Sequence, residues 1–262
     1  MTDFRVNGLV IKDESKGEYD KMLTILTEKY GKLFVMGKGV KSVRSRHMAA
    51  TQLFSYSSFN LRKKGNYYYI TDSDLIESYY EIRNDVQKYA LSAFVCEVMY
   101  EISREGIEEA ALLKLSLNTL YAIAKDIRPA EIIRAAFELR VAAECGFTPD
   151  ISACRCCGVT SADMVCLDIM DGSIICEQCR KKEPQASSVD SFAALGIPRP
   201  IALISLSVLA AMRYVMFSKS ERFLAFSLDP IEHQMFFDVS EKYLLNHLER
   251  GFYTLDFYKS LI

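Results

Sequence analysis

The sequence predicts an α+β chain with a small β-barrel at its N-terminus, a helical body, and a compact cysteine-rich module inserted into that body. Three observations carry this reading. Five short apolar runs separated by turn residues fill about the first eighty positions, apolar residues recur at three-and-four spacing from Asp85 onward, and four of eight cysteines form two C-x-x-C pairs. With 262 residues, 50% of them apolar, the chain can bury a sizeable core in one large domain or two to three small ones.

The predicted strands lie around Val6–Ile11, Met22–Leu26, Leu33–Met36, Leu53–Phe59 and Tyr67–Ile70, punctuated by Gly17, Gly31, Gly37, Gly39 and the Gly65-Asn66 pair. So many strands in so short a stretch point to a small barrel or sandwich, and a five-stranded OB-type barrel is the economical choice. Helices are expected over Val86–Ser103, Glu108–Ile127 and Ala130–Cys145, with Pro129 at a first-turn position and Gly146 placed to end its helix in the left-handed conformation. Two more are expected over Arg199–Phe217 and Pro230–Arg250, the last stopped by Gly251, with Lys181–Ser191 as a polar connector. The expected domains are therefore 1–82 (barrel), 83–149 (helical, first part), 150–182 (cysteine module) and 183–262 (helical, second part).

Cys154, Cys157, Cys176 and Cys179 give C-x2-C-x18-C-x2-C. Each pair can turn two thiolates onto one ion, and a hairpin with Asp171-Gly172 at its tip would bring the pairs together. Four thiolates close a tetrahedral zinc site and leave no position for water or substrate, so the expected zinc ion is structural. Cys156 is an additional candidate ranked below its neighbours, because Cys154 and Cys157 have the right separation; Cys166 is extra, and Cys96 and Cys145 lie on apolar helix faces as core residues.

The net charge of −2 conceals an asymmetry: residues 1–70 hold thirteen Lys and Arg against six acids, and residues 29–64 hold nine cations and no acid. Such a one-signed stretch suits a polyanion. Lys38, Lys41, Arg44, Arg46, Arg62, Lys63 and Lys64 are the candidate nucleic-acid contacts, with His47 alongside. Phe54, Tyr56, Phe59, Tyr67 and Tyr69 are interleaved nearby, the mixture single-strand binders use, although alternating aromatics in strands are more often half-buried core.

Several functions are excluded. Gly37-Lys-Gly39-Val-Lys-Ser42 lacks the spacing and the βαβ context of a phosphate loop. A zinc deaminase needs H-x-E ahead of P-C-x-x-C, whereas His247-Leu-Glu249 follows the cysteines and Ile175 precedes Cys176. The histidines His47, His233 and His247 form no catalytic pattern, so the chain is not expected to be an enzyme. The longest apolar stretch, Ile201–Met212, is too short to span a bilayer, and Met1–Arg5 shows no signal-peptide pattern, so a cytoplasmic address is expected.

Laid in this order, the chain resembles the RecO family. The resemblance is carried by Gly8-Leu-Val-Ile11, Gly17-Glu-Tyr-Asp20, Leu26-Thr-Glu28, Gly31-Lys32 and Gly37-Lys-Gly39-Val, then by Phe137-Glu-Leu139, Cys145-Gly-Phe147-Thr-Pro149 and Tyr243–Arg250. It implies a DNA-repair mediator, cytoplasmic and nucleoid-associated, that binds single- and double-stranded DNA, anneals complementary strands and, with RecR, loads recombinase. It also implies contact with the acidic C-terminal tail of single-stranded DNA-binding protein, for which Arg134 and Arg140 are the matching cations. Some members lack the cysteines, which implies that zinc supports the fold rather than the activity. Arg180 after Cys179, where glycine is common, is a departure at the second knuckle. A zinc-ribbon factor binding RNA or transcription machinery shares the same barrel, basic loop and cysteines and is the alternative.

Overall fold

The computed structural model describes residues 3–65, 67–160, 162–182 and 200–262. The chain divides into two compact units, residues 1–130 with 252–262, and residues 131–251. The expected connector falls mostly on residues 183–199, and Asn66 of the expected Gly65-Asn66 turn stands alone; both lie outside the described residues.

In the first unit, β1 (Asp3–Lys16), β2 (Asp20–Thr27), β3 (Gly31–Gly37), β4 (Tyr56–Lys64) and β5 (Tyr67–Glu77) form a closed barrel in the order β1-β2-β3-β5-β4. The β3–β5 contact is parallel and every other pairing is antiparallel. This is the expected OB-type arrangement. Strand period explains which side chains fill it: along β3, Gly31, Leu33, Val35 and Gly37 are buried while Lys32, Phe34 and Met36 alternate outward. Val6, Val10, Leu23, Ile25, Leu33, Val35, Phe59 and Leu61 make the barrel core, each fully buried aliphatic or aromatic side chain contributing about 1.5–3 kcal/mol. One expected strand starts later than its apolar run suggests. Leu53–Ser55 is a turn, and Phe54 sits there at φ 70, fully buried against Tyr89.

Helices α1 (Val86–Ile102), α2 (Ala110–Ala124) and α7 (Tyr253–Lys259) complete this unit. Asp85 caps α1 by accepting from the backbone N–H groups of Gln87 and Lys88. The sequence pattern did not mark α7; it packs on α1 through Phe94 and Phe252, 5.6 Å apart, and Glu97 accepts from the Thr254 N–H at its start.

The segment after α1 is laced to the β2–β3 turn. Lys32 N donates to Arg104 O, Gly106 N to Tyr30 O and Glu109 N to Glu28 O, at 2.8–3.0 Å, while the Lys32 ammonium donates to Tyr100 O at 2.7 Å. Gly31 makes the approach possible. It adopts φ +59, and a Cβ there would lie 1.9 Å from the Arg104 carbonyl oxygen.

In the second unit, α3 (Ala130–Glu144, whose first residue belongs to the other unit) is followed by a sheet of order β6-β8-β7-β9, formed by β6 (Asp150–Cys154), β7 (Met164–Asp168), β8 (Ser173–Cys176) and β9 (Ile201–Ser205). Helices α4 (Glu177–Lys182), α5 (Leu206–Phe217) and α6 (His233–His247) complete it. Here a sequence expectation is corrected. Ile201–Ser205 is a strand paired with β7, and the helix begins only after Ser205, whose hydroxyl caps it by accepting from Val208 N. The run Ile201-Ala-Leu-Ile204 fits either period, and only its pairing to β7 decides. The last expected helix opens as a 3-10 turn at Pro230–Glu232 and ends at His247, with Glu249 rather than Gly251 in the left-handed conformation (φ 52). Gly146 does end α3 as expected, at φ +89.

Gly31→Ala is expected to destabilise the first unit by at least about 2 kcal/mol, because it combines a disfavoured backbone conformation with a backbone clash. A chemical-denaturation midpoint that stays at the wild-type value would contradict this account of the clamp.

Candidate metal centre and nucleic-acid interface

Strands β6 and β8 run parallel, and each ends in a cysteine, so Cys154 and Cys176 arrive side by side at one end of the sheet. Both are buried, whereas Cys157 lies in an exposed turn and Cys179 on the short helix α4. The first turn is fixed by Gly158, which adopts φ +72 and donates from its N–H to Cys154 O. The β7–β8 connection is the expected hairpin: the Asp168 carboxylate accepts from Met170 N and Asp171 N, and Gly172 takes φ +66 with its N–H donating to Asp168 O.

The four sulfurs lie within 4.8 Å of one another, and Cys157 Sγ and Cys176 Sγ are 3.8 Å apart. A disulfide would need about 2.05 Å. A tetrahedral four-thiolate site with metal–sulfur bonds of about 2.3 Å has edges of about 3.8 Å, so these residues fit an ion. Local electrostatics agree. Burial opposes ionisation of Cys154, but backbone N–H groups of Cys176, Cys157 and Cys156 bring its thiol down to about 6. Cys179 is held up by the neighbouring sulfurs of Cys157 and Cys176. Four thiolates this close repel one another, and a cation at their centre removes that cost. Cys156 is exposed, and Cys166 is buried and accepts from Arg180 Nη1 at 2.8 Å. The unusual residue after Cys179 thus holds β7 to α4.

Several cations of the basic stretch lie on the outside of the barrel. Lys38 Nζ lies 5.7 Å from the centre of the Tyr69 ring, and Tyr69 is opposite Arg62 across β4–β5, which places Lys38 with Arg62 and Lys64 on one face, whereas Lys63 alternates to the other side and lies over the Tyr68 ring. The loop carrying Lys38 and Lys41 is pinned by Gly39 N donating to Asp20 Oδ1 and Lys41 N donating to Tyr19 O. Lys38, Arg44, Lys63 and Lys64 are exposed; Lys41 is half-buried, its ammonium donating to Gly17 O. Two of the arginines have internal partners. Arg62 makes a two-pronged pair with Asp3 at 2.7 and 2.8 Å, holding that carboxyl below its ordinary value, and Arg46 pairs with Asp72 at 3.1 Å. Local sequence could not reveal these acids, which stand 59 and 26 positions away. Phe54 and Phe59 are fully buried and Tyr67 is 46% exposed.

Arg134 and Arg140 both have internal partners in the second unit. Arg134 is 3% exposed and bound to Glu131, Glu138 and Glu241 at 2.6–3.0 Å. Arg140 pairs with Glu144 and donates to the carbonyls of Val215, Met216 and Ser218, capping the C-terminal end of α5.

An OB-type barrel and a four-cysteine candidate metal module joined by helices define an α+β class of two-unit chains. Family models for the N-terminal and C-terminal parts of recombination protein O match residues 1–79 and 83–195. A protein of Acetivibrio thermocellus named DNA repair protein RecO is 30% identical over 262 residues, covering 100% of this chain and 98% of its own. One of that name from Alkaliphilus metalliredigens is 30% identical, covering 98% of this chain and 99% of its own. The chain belongs to the RecO family of DNA repair proteins. Among the described residues no helix is long and apolar enough to cross a membrane.

Burial pushes the Glu138 carboxyl up from 4.5 to about 8, against the pull of Arg134. The folded chain therefore keeps a proton that the unfolded chain releases above pH 4.5, and stability is lost progressively as pH rises from there to about 8. Glu138→Gln is expected to flatten that part of the profile, measured as denaturation midpoints across the window. Arg134→Met, which removes the shared partner of Glu131, Glu138 and Glu241, is expected to cost about 3–5 kcal/mol.

Proposed function

We propose that this chain is a non-enzymatic, cytoplasmic DNA-binding mediator of recombinational repair that binds single- and double-stranded DNA and anneals complementary strands. In this reading it acts with RecR to load recombinase onto DNA coated by single-stranded DNA-binding protein. The observation that supports it best is the face of the barrel on which Lys38, Arg62 and Lys64 meet, and Lys38, Lys41, Arg44, Arg46, Arg62, Lys63 and Lys64 are the proposed contacts. Such cations meet phosphates irrespective of sequence and position the strand rather than read it. Partnership with the acidic tail of single-stranded DNA-binding protein is carried over from the family; Arg134 and Arg140, already engaged internally, would have to exchange partners to take part.

Cys154, Cys157, Cys176 and Cys179 are proposed to hold one structural zinc ion. Bound there, zinc would supply the charge that lets four thiolates coexist, and a closed sphere offers it no substrate. Cys154 and Cys176 would tie the ion to the sheet, and Cys157 and Cys179 would close it from the turn and α4.

Two experiments test these assignments. Complementary oligonucleotides precoated with single-stranded DNA-binding protein should anneal with the wild type. A Lys38→Ala, Arg44→Ala, Arg46→Ala variant should lose most of that activity, and its affinity should depend less steeply on salt by about two to three charges. A wild type that selects an RNA loop and anneals nothing would support the zinc-ribbon alternative. For the metal, elemental analysis should find one zinc per chain. Cys176→Ser or chelation should remove it and unfold the β6–β8 module while the first unit keeps its hydrogen-exchange protection; a metal-free wild-type chain with the module intact would refute the site.

A further inference from the structure

The outer face of the barrel carries more than charge. On β5, Tyr67 and Tyr69 project to one side, while Tyr68 between them packs inward against Phe4, 5.6 Å away, and the barrel core. The strand registers fix their neighbours: Lys64 stands opposite Tyr67 and Arg62 opposite Tyr69 on β4, and Met36 stands beside Tyr69 on β3. Lys38, two positions beyond Met36, reaches back over the Tyr69 ring. The result is an apolar strip of Met36, Tyr69 and Tyr67 bordered by Lys38, Arg62 and Lys64. No core function accounts for it, since Tyr67 is 46% exposed and Lys64 is exposed beside it.

We propose that Tyr67 and Tyr69 form a stacking platform for unpaired DNA bases that favours single strands over duplex on this face. The inference rests on the DNA-binding reading above and deepens it. Two residues apart on one strand, the rings are anchored about 6.6–6.8 Å from each other. Bases in a duplex are spaced about 3.4 Å and present only their edges, so a duplex can offer this strip phosphates but no ring faces. A strand with its bases drawn apart can lay one base on Tyr67 and a second on Tyr69 once Lys38 swings from that ring to a phosphate, while Lys64 and the exchangeable Arg62 meet its backbone. Ring stacking tolerates any base, as a mediator acting on arbitrary sequence requires.

The test uses the full-length protein, an oligo-dT and a duplex of equal length. Tyr67→Ala should weaken binding to oligo-dT about tenfold, leave duplex binding within about twofold and keep the salt dependence, because no charge is removed. The natural chain has no tryptophan, so Tyr67→Trp supplies a single reporter. It should retain affinity for the single strand and lose emission when oligo-dT is added, but not when duplex is added. Equal weakening on both DNAs, unchanged binding on both, or an unquenched Trp would each overturn the platform while leaving DNA binding intact. A wild type that binds neither DNA overturns the broader reading, and the platform with it.

Discussion

Strand β1 is paired on both edges, to β2 through Gly8–Lys16 and to β4 through Asp3–Leu9, and the barrel's closure depends on this double pairing. Residues 47 to 59 positions apart must meet in register before the core of Val6, Val10, Phe59 and Leu61 can form. The turn before β4 is held accordingly. Val10 N donates to Ser55 O, and Phe54 N donates to Val10 O, fixing a left-handed phenylalanine that surrounding structure must over-determine. The outer face inherits these registers. β1–β4 sets Asp3 against Arg62, β4–β5 sets Arg62 against Tyr69, and β3–β5 sets Tyr69 beside Met36. A slip of one residue in any of them would turn this face inside out.

In the second unit the analogous constraint is chemical. The sheet delivers Cys154 and Cys176 together, and their burial makes the pair costly to leave as bare thiolates. The junction leading into it is equally specific. Tyr243 donates to Phe147 O, His247 stacks on the Phe147 ring at 5.0 Å, and Gly172 leaves room where a Cβ would meet Pro149 and the Tyr243 hydroxyl. The Cys145-to-Pro149 stretch thus packs the hairpin of the cysteine module onto α6.

Much of this was legible in the sequence. The barrel followed from apolar runs and glycines, and the sulfur cluster from spacing alone, because both depend on short-range geometry that residue type fixes. β9 was not legible: Ile201–Ile204 satisfies both periods, and what makes it a strand is the vacant edge of β7. Glu131, Arg134 and Glu138 show helical ion-pair spacing in the sequence, but the burial of Arg134 and Glu138 and the added partner Glu241, 107 positions from Arg134, come from tertiary structure. The acids facing Arg46 and Arg62 were hidden for the same reason, since strand pairing brings Asp3 to Arg62 and the packing of the β3–β4 connection against β5 brings Arg46 to Asp72.

Those two acids alter what binding a polyanion involves. A lysine such as Lys64, when it meets a phosphate, sheds a loosely associated counterion into solution, and the entropy of that release drives association. Arg62 and Arg46 begin with Asp3 and Asp72 in the counterion's place, tethered to the same barrel and unable to leave. In the proposed DNA-binding reading the strand would be a competitor in a swap: each phosphate gained would set a carboxylate free beside it, and that carboxylate would stay at hand to reclaim its arginine. Grip is thereby traded for turnover, which would suit the strand handover proposed above.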